Sequence, residues 1–297
     1  MRTPQPTPGT VSTPPWLKAS RVLAALITLA AGLALTAVGW SAHSQPARRS
    51  VAGATKRTIP PKAKTASAPV GVSRSIRVVG IGDSVTSGYN CTCEPFVGLY
   101  ANALANQRGL ATSAVNLGVA GSTSSQLLQS VSRPGTFRDQ VADADIVLVT
   151  IGANDLSPLE SKQPADCPTT CYSPLIDAMA HEVELIVKAA RAAQPDHPPT
   201  VLVTDYWNVF QDGDVGTAEN GSAFQSFSDT LTRAASIRVC DATRRAGATC
   251  VSLYPPFKGD GSANPTSLLA DDGDHPNAAG HQLISSTLLA ATPEPLP

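Results

Sequence analysis

Acidic side chains are missing from the first quarter of the chain. Residues 1–77 hold half of the 22 Lys and Arg and none of the 23 Asp and Glu, although the whole chain of 297 residues is nearly neutral. The rest of the chain therefore carries an excess of negative charge. Because nucleic-acid binding needs concentrated positive charge, we expect no nucleic-acid partner for this larger part.

The N-terminal part lacks charge in one stretch and large apolar residues in the next. Residues 22–40 form an uncharged run of 19 residues, which is short for a membrane span and long for a signal-peptide core. A small-x-small sequence at 42–44 could be cleaved. We expect residues 1–44 to be a signal peptide or a retained anchor, and the protein to be exported, with membrane contact only through this segment. Residues 45–75, basic and rich in Pro and Ala, predict a disordered linker before a folded domain over 76–297.

Aromatic residues are scarce at 5%, but hydrophobic residues reach 42% and can build a core. From residue 76 onward, short apolar segments alternate with segments of helical spacing, which predicts βαβ units and a parallel sheet covered on both faces. The predicted strands are 76–82, 114–117, 146–151, 200–204 and 250–253, and the predicted helices are 95–108, 124–131, 175–193, 223–245 and 278–290.

Polar, glycine-bearing loops follow the first three predicted strands. Ser84 follows the first strand, Gly121 lies in the loop after the second, and Asn154 follows the third. The carboxyl ends of parallel strands meet at one edge of a sheet, so these residues should converge on one crevice. A serine at such a place can act as a nucleophile if a base reaches it.

The chain has only five histidines that could act as the base. His275 lies in the loop 271–277, and Asp272 can bind its Nδ1 within that loop, leaving Nε2 free for a serine. A calcium site is the competing interpretation of this acidic loop, but the loop lacks the twelve-residue pattern with a terminal Glu. The other histidines have linker, solvent-exposed or structural explanations: His43, His181, His197 and His281.

Four short sequence motifs, given at the end of this paragraph in chain order, resemble the four conserved blocks of the SGNH hydrolases, also called the GDSL esterase/lipase family. The resemblance covers about residues 76–290 and departs from the eponymous motif only at Val85, where that motif has leucine. The chain has no Gly-x-Ser-x-Gly segment, which disfavours an ordinary α/β-hydrolase elbow. The blocks are Gly82-Asp83-Ser84, Asn116 with Gly121, Gly152-Ala153-Asn154-Asp155, and Asp272-Gly273-Asp274-His275-Pro276-Asn277.

The resemblance implies a flavodoxin-like three-layer α/β/α sandwich with five parallel strands. It also implies a serine esterase with Ser84 as nucleophile, His275 as base and Asp272 as the orienter of that base. The oxyanion donors would be the backbone N–H groups of Ser84 and Gly121 and the side-chain amide of Asn154. We expect no cofactor and no metal, and a small-molecule, lipid or carbohydrate ester as substrate. A carbohydrate deacetylase and a catalytically silent cell-envelope binding protein are the alternatives.

Four further residues are expected near the site. Asp83 and Asp155 flank it and are interpreted as carboxylates that brace loops. Tyr206 and Trp207, after the fourth predicted strand, are candidates for the acyl or alcohol pocket, with ordinary core aromatics as the alternative.

The six cysteines all follow the expected export segment, which indicates disulfides rather than metal binding. Cys240–Cys250 is the best-supported pair, because it would join a helix to the next strand through a short turn. Cys167–Cys171 is a local expectation that leaves Cys91–Cys93, a small ring in which strain is expected. Cross-pairing between these two sets is therefore the alternative.

Overall fold

The computed structural model describes residues 75–162, 164–294 and 296. The predicted export segment at 1–44 and nearly all of the predicted linker lie outside these residues, so both stay predictions. Within the described ranges, no helix combines the length and the apolar character that crossing a membrane requires.

Five parallel strands form the only sheet of the described residues, in the order β2-β1-β3-β4-β5. This is the flavodoxin-like order, which reverses direction between β1 and β3 and opens a crevice there. Gly82 at the end of β1 is level with Gly118 of β2 and Thr150 of β3. The strands are β1 (Ile76–Gly82), β2 (Thr112–Gly118), β3 (Ile146–Thr150), β4 (Thr200–Thr204) and β5 (Thr249–Val251).

Helices cover both faces of this sheet, which gives the expected α/β/α sandwich. Alternate residues of the central strands face opposite layers: Val147 and Val149 join one buried cluster, and Ile146 and Leu148 join the other. The helices are α1 (Ser84–Ser87), α2 (Phe96–Arg108), α3 (Ser124–Ser132), α4 (Thr136–Ala142), α5 (Thr169–Ala192), α6 (Gly213–Arg245), α7 (Tyr254–Lys258) and α8 (Ala278–Ala290), with 3-10 turns at Asn154–Leu159, Pro164–Asp166 and Thr266–Leu268.

The largest differences from the predicted elements lie at the starts of two helices. α6 begins ten residues before the predicted 223 and contains a break at Gly221, whose φ is +77°. The predicted helix 223–245 is thus the part of α6 that follows this break. α5 begins at Thr169 rather than 175, with Pro174 inside it. The short helices α1, α4 and α7 were not predicted, because four to seven residues carry too little periodicity.

Three disulfides lie in the connections between helices and strands. Cys240–Cys250 ties α6 to β5, Cys167–Cys171 closes the start of α5, and Cys91–Cys93 lies between α1 and α2. The cysteines therefore pair within the expected sets, and the cross-paired alternative is not the one adopted.

Candidate active site

The turn that carries Ser84 depends on the glycine before it. Gly82 has a φ of +144°, and a Cβ at this position would lie 2.0 Å from the carbonyl oxygen of Thr150. Only glycine lets β1 and β3 approach this closely at their ends. Asp83 then caps α1 by accepting a hydrogen bond from the N–H of Val85 (3.1 Å), which leaves Ser84 as the first residue of the helix.

Asp83 is the buried centre of a polar network next to Ser84. Its carboxyl group is 1% exposed and accepts hydrogen bonds from Thr150 Oγ1 (2.8 Å) and from the hydroxyl of Tyr206. Burial raises the pKa of Asp83 to about 6, although the bonds from Tyr206, Thr150 and Val85 act to lower it. The prediction that Asp83 braces a loop agrees with these contacts.

A second contact fixes the same turn from β2. The Asn116 amide donates to the carbonyl oxygen of Thr86 (2.6 Å), and Asn116 Oδ1 accepts from the N–H of Gly118 (2.9 Å). Thr86 in turn donates its N–H to Thr150 Oγ1 (3.1 Å). The Asn116 block thus holds α1 in place, a role that its motif alone did not reveal.

Three hydrogen-bond donors belong to residues that line one cleft. The backbone N–H groups of Ser84 and Gly121 bond to no acceptor in the part of the chain that the structure describes. Gly121 has a φ of +81°, and its loop is tied to β1 by the N–H of Val119, which donates to Gly82 (2.9 Å). The Asn154 amide donates one hydrogen to the carbonyl oxygen of Ser122 (2.9 Å), which orients the group and leaves its second hydrogen available.

Asp155, the residue after Asn154, braces this arrangement from outside. Its carboxyl group accepts from the N–H (2.9 Å) and the Oγ (2.5 Å) of Ser124 at the start of α3. Partial burial raises the pKa of Asp155, against the lowering effect of these bonds from Ser124. Its expected bracing role agrees with this geometry.

His275 and Asp272 form a pair within one loop, as the sequence predicts. His275 Nδ1 lies 2.7 Å from Asp272 Oδ2, while Asp272 Oδ1 accepts the N–H groups of Asp274 and His275 at 3.0 Å each. Partial burial opposes ionisation of Asp272, but these bonds and one from Asn90 prevail and lower its pKa to about 2. Because Asp272 is ionised, Nδ1 carries the hydrogen of the bond and Nε2 is left as the basic atom.

A cleft of about 410 Å³ brings these groups together. Ser84, Gly121, Asn154 and His275 all line it. Among the described residues, no direct hydrogen bond joins Ser84 Oγ to His275; catalytic bonds of this kind often tighten only when substrate binds. Asp272 does not line this cleft and contacts it through His275.

Tyr206 and Trp207 both border the cleft, but in different ways. Trp207 is fully buried and stacks on Phe257, with ring centroids 4.3 Å apart, so it is mainly a core residue. Tyr206 is 7% exposed and supports Asp83 through its hydroxyl. The sequence analysis did not predict that four further residues after β4 line the cleft. Their position directly after a parallel strand could have indicated this. These residues are Asn208, Val209, Phe210 and Gln211.

The other described histidines lie elsewhere. His281 is fully buried; its Nδ1 accepts from the N–H of Phe96 (3.3 Å), and burial lowers its pKa to about 4. His181 and His197 are exposed, and His43 lies outside the described residues. The structural role expected of His281 agrees with these contacts.

Possible metal ligands come together at one place among the residues that the structure describes. Of the described residues, only Cys91, Cys93 and His281 cluster like metal ligands, and the two sulfurs form a disulfide rather than the thiolates that metals bind. A calcium ion in the loop 271–277 would compete with existing bonds, because the two carboxylate oxygens of Asp272 already accept four hydrogen bonds.

The comparisons with known proteins agree with this geometry. The model of the GDSL-like Lipase/Acylhydrolase family matches residues 81–283. The chain belongs to this family. It is therefore a serine ester hydrolase, as its motifs implied. No curated protein sequence matches the chain.

Solved structures share the fold at low sequence identity. The lipase Lip_vut3 from a goat rumen metagenome is 17% identical with a TM-score of 0.61, over 75% of this chain and all of that one. A mutant of Axe2, an acetyl-xylooligosaccharide esterase from Geobacillus Stearmophilus, is 16% identical with a TM-score of 0.51, over 73% and 93% of the two chains. BT4096, a gut microbial diltiazem-metabolizing enzyme, is 16% identical with a TM-score of 0.53, over 74% and 47%.

Proposed function

We propose that this chain hydrolyses carboxylic esters through an acyl-enzyme on Ser84, with His275 as base and Asp272 as its orienter. One observation carries the proposal: the imidazole that Asp272 holds at 2.7 Å borders the same cleft as Ser84 and the unbonded N–H groups of Ser84 and Gly121. A nucleophile, an oriented base and oxyanion donors at one place are the parts that acyl transfer requires.

The first half-reaction acylates Ser84. His275 Nε2 accepts the hydroxyl proton while Oγ bonds to the ester carbonyl carbon. The carbonyl oxygen then takes up negative charge, which the N–H groups of Ser84 and Gly121 and the Asn154 amide stabilise more than they stabilise the substrate. Collapse of this intermediate breaks the ester C–O bond, and the imidazolium returns its proton to the departing alcohol.

The second half-reaction releases the acid. Water gives a proton to His275 and bonds to the acyl carbon, and collapse of the second tetrahedral intermediate returns the proton to Ser84 Oγ. Asp272 stays ionised throughout, since its pKa of about 2 lies far below neutral pH. Its role is to fix the imidazole and to stabilise the imidazolium.

The cleft supports a substrate of modest size. The cleft has a volume of about 410 Å³, and its lining includes the apolar residues Val85, Val209 and Phe210. Ser157, Glu160 and Gln211 add polar groups to its lining, and these polar groups favour a carbohydrate acetylesterase as the second candidate. A catalytically silent binding protein remains the third candidate.

Turnover of p-nitrophenyl acetate tests the nucleophile. Ser84→Ala should abolish hydrolysis while the thermal midpoint stays near the wild-type value. Ser87→Ala is the matched control, because Ser87 lies on the same short helix. Among the described residues, its Oγ makes one hydrogen bond, to the carbonyl oxygen of Ser84 (2.9 Å). Activity of Ser84→Ala above about a tenth of wild type would remove the serine from its role, since loss of a nucleophile costs far more than tenfold.

A substrate panel separates the candidates. We expect p-nitrophenyl esters of short and rising chain length to be hydrolysed. Faster release of acetate from acetylated xylan than from any simple ester would favour the carbohydrate enzyme. No turnover of any member by folded wild-type protein would favour the binding protein.

We also propose that the protein is exported. The uncharged run at 22–40 and the small-x-small sequence after it support this location, as does the pairing of all six cysteines in disulfides. Cell fractionation should place it outside the cytoplasm. An N-terminus near residue 45 would indicate a cleaved signal, an intact N-terminus in the membrane fraction would indicate an anchor, and uncleaved cytoplasmic protein would contradict both.

A further inference from the structure

One residue outside the family blocks contacts the base pair directly. The side-chain amide of Asn90 donates to Asp272 Oδ2 at 2.7 Å, and this is the same oxygen that binds His275 Nδ1. Asn90 lies only six residues after Ser84, so one short segment follows the nucleophile and reaches the loop that holds the base.

The backbone of Asn90 is held in an unusual conformation. Its φ is +61°, and it is the only residue other than glycine with a positive φ in the described part of the chain. Side chains rarely adopt this region, although Asn tolerates it better than most. An unfavourable conformation that points an amide at a catalytic carboxylate is a reason to seek a functional role.

Asn90 completes the hydrogen bonding of Asp272. Two backbone N–H groups occupy Oδ1, and His275 together with Asn90 occupies Oδ2. Each carboxylate oxygen therefore has two donors. Without Asn90, Oδ2 would keep only the imidazole, and the carboxylate would lose one of the bonds that set its rotation.

A disulfide ring constrains the backbone directly after Asn90. Cys91–Cys93 closes a ring directly after Asn90, and the N–H of Cys91 donates to the carbonyl oxygen of Gly88 (3.2 Å). Tyr89, one residue earlier, places its ring edge-on to His275, with centroids 4.9 Å apart. The segment 88–93 thus contacts both members of the base pair.

We propose that Asn90 is a positioning residue for the ester hydrolase reaction: its amide, held by the Cys91–Cys93 ring, orients Asp272 and through it His275. This rests on the proposed roles of Asp272 and His275.

The test replaces the amide without changing the backbone demand. Asn90→Gly keeps the positive φ and removes the donor; kcat for p-nitrophenyl acetate should fall roughly tenfold, the scale of one hydrogen bond to a charged group, with KM unchanged. Thr92→Ala is the matched control, because the exposed Thr92 lies within the same ring and makes no side-chain hydrogen bond among the described residues. It should keep wild-type kcat.

The pH profile distinguishes positioning from loss of structure. Asn90→Asp places a carboxylate beside the base pair, which favours the imidazolium, so the acid limb of kcat/KM should move to higher pH. Asp83, Asp274 and His281 also interact electrostatically with His275 and are unchanged in the variant, so the shift reports on residue 90. A structural defect would lower activity equally at all pH values.

Removal of the ring should act through the same residue. Cys91→Ala/Cys93→Ala should lower kcat, and combining it with Asn90→Gly should add little further loss, because coupled residues are not additive. Cys240→Ala/Cys250→Ala controls for loss of a disulfide as such and should leave the pH profile unchanged.

The outcomes separate this proposal from the proposed function. A wild-type kcat in Asn90→Gly, an unshifted pH profile in Asn90→Asp, or fully additive losses with the ring variant would overturn the positioning role. A large loss in Asp272→Asn would at the same time support the proposed pair of Asp272 and His275. Retained activity in Asp272→Asn would instead overturn the proposed function.

Discussion

The two segments that carry the proposed nucleophile and the proposed base are held in opposite ways. The nucleophile turn, residues 82–88, rests on the buried carboxyl group of Asp83, whose pKa is raised to about 6. The histidine loop, residues 269–277, lies nearer the surface and centres on Asp272, whose pKa is lowered to about 2. Both aspartates are therefore mainly ionised at neutral pH, and their protonation states differ only between about pH 2 and pH 6.

The difference follows from what surrounds each carboxyl group. Asp83 is fully buried and accepts two hydroxyl groups and one backbone N–H, which compensate for lost solvation only in part. Asp272 is partly open to solvent and accepts four hydrogen bonds, two of them from backbone N–H groups. We infer that Asp83 can brace the nucleophile in either protonation state, whereas Asp272 works only as an anion.

The segment that follows β4 contacts both the nucleophile turn and the histidine loop. The Gln211 amide donates to the carbonyl oxygen of Asp272 (3.0 Å), and the N–H of Asp212 donates to Gly273 (2.7 Å). Asp212 is itself held by the buried ammonium group of Lys258 at 2.6 Å. The segment that follows β4 therefore supports the nucleophile turn through Tyr206 and the histidine loop through Gln211 and Asp212.

The largest effect should come from removing the charge of the histidine loop. Asp272→Asn should lower kcat by roughly 10⁴, because an amide favours the wrong imidazole tautomer and cannot stabilise the imidazolium. Asp83→Asn is the matched substitution in the nucleophile turn and should cost at most about tenfold, the scale of one hydrogen bond. Steady-state kinetics of both variants measure the contrast, and equal losses would break the comparison.

The next effect concerns the oxyanion. Asn154→Ala should lower kcat by roughly 10²–10³ with little change in KM, because its donor acts mainly on the transition state. Asn154→Asp should be worse, since an ionised carboxylate repels the oxyanion and donates nothing. Thermal midpoints serve as the control: a near-normal kcat, or a loss that merely follows unfolding, would remove Asn154 from this role.

The third prediction uses the raised pKa of Asp83. Folded Asp83 binds its proton more tightly than the unfolded chain does, with a pKa of about 6 against 3.8. Its contribution to stability is therefore highest at low pH, and about 3 kcal/mol is lost as pH rises from about 4 to 6. Asp272 has the opposite sign and loses its contribution as pH falls from about 4 to 2. The free energy of unfolding, measured with urea, should fall as pH rises from 4 to 6, and Asp83→Asn should reduce this fall. An equal fall in the variant would contradict the role of Asp83.

The smallest effect should come from removing the Tyr206 hydroxyl, which donates to Asp83. Tyr206→Phe leaves a buried carboxyl group without one donor and should lower the free energy of unfolding by about 1–3 kcal/mol. Tyr172→Phe is the control, because the Tyr172 hydroxyl makes one hydrogen bond within the described part of the chain, to Thr169 at an exposed position. Urea unfolding compares the two, and equal small changes would show that Tyr206 does not support the turn.

Most of the site was accessible from sequence because of one topological rule. In a parallel sheet the strand ends share one edge, so Ser84, Gly121 and Asn154 could be brought together without knowing their contacts. The pair of Asp272 and His275 is local and needs no tertiary information. The fold class followed from the alternation of strands and helices.

The contacts that were missed are long-range or conformational. Tyr206 meets Asp83 across 123 residues of sequence, and Asn90 meets Asp272 across 182. No periodicity encodes such pairs, since they depend on where β4 and the loop before α8 lie relative to α1. Trp207 was ambiguous for a related reason: whether an aromatic after β4 enters the cleft or the core depends on packing against Phe257.

The most direct test of the account is to identify the side chain that a p-nitrophenyl phosphonate modifies. Such a reagent transfers its phosphonyl group to an activated serine and leaves a stable adduct that peptide mass spectrometry can locate. We predict one adduct per chain, on Ser84, formed far more slowly in Asp272→Asn and absent in Ser84→Ala. An adduct on another residue of the wild type, or undiminished labelling of Ser84→Ala, would contradict it.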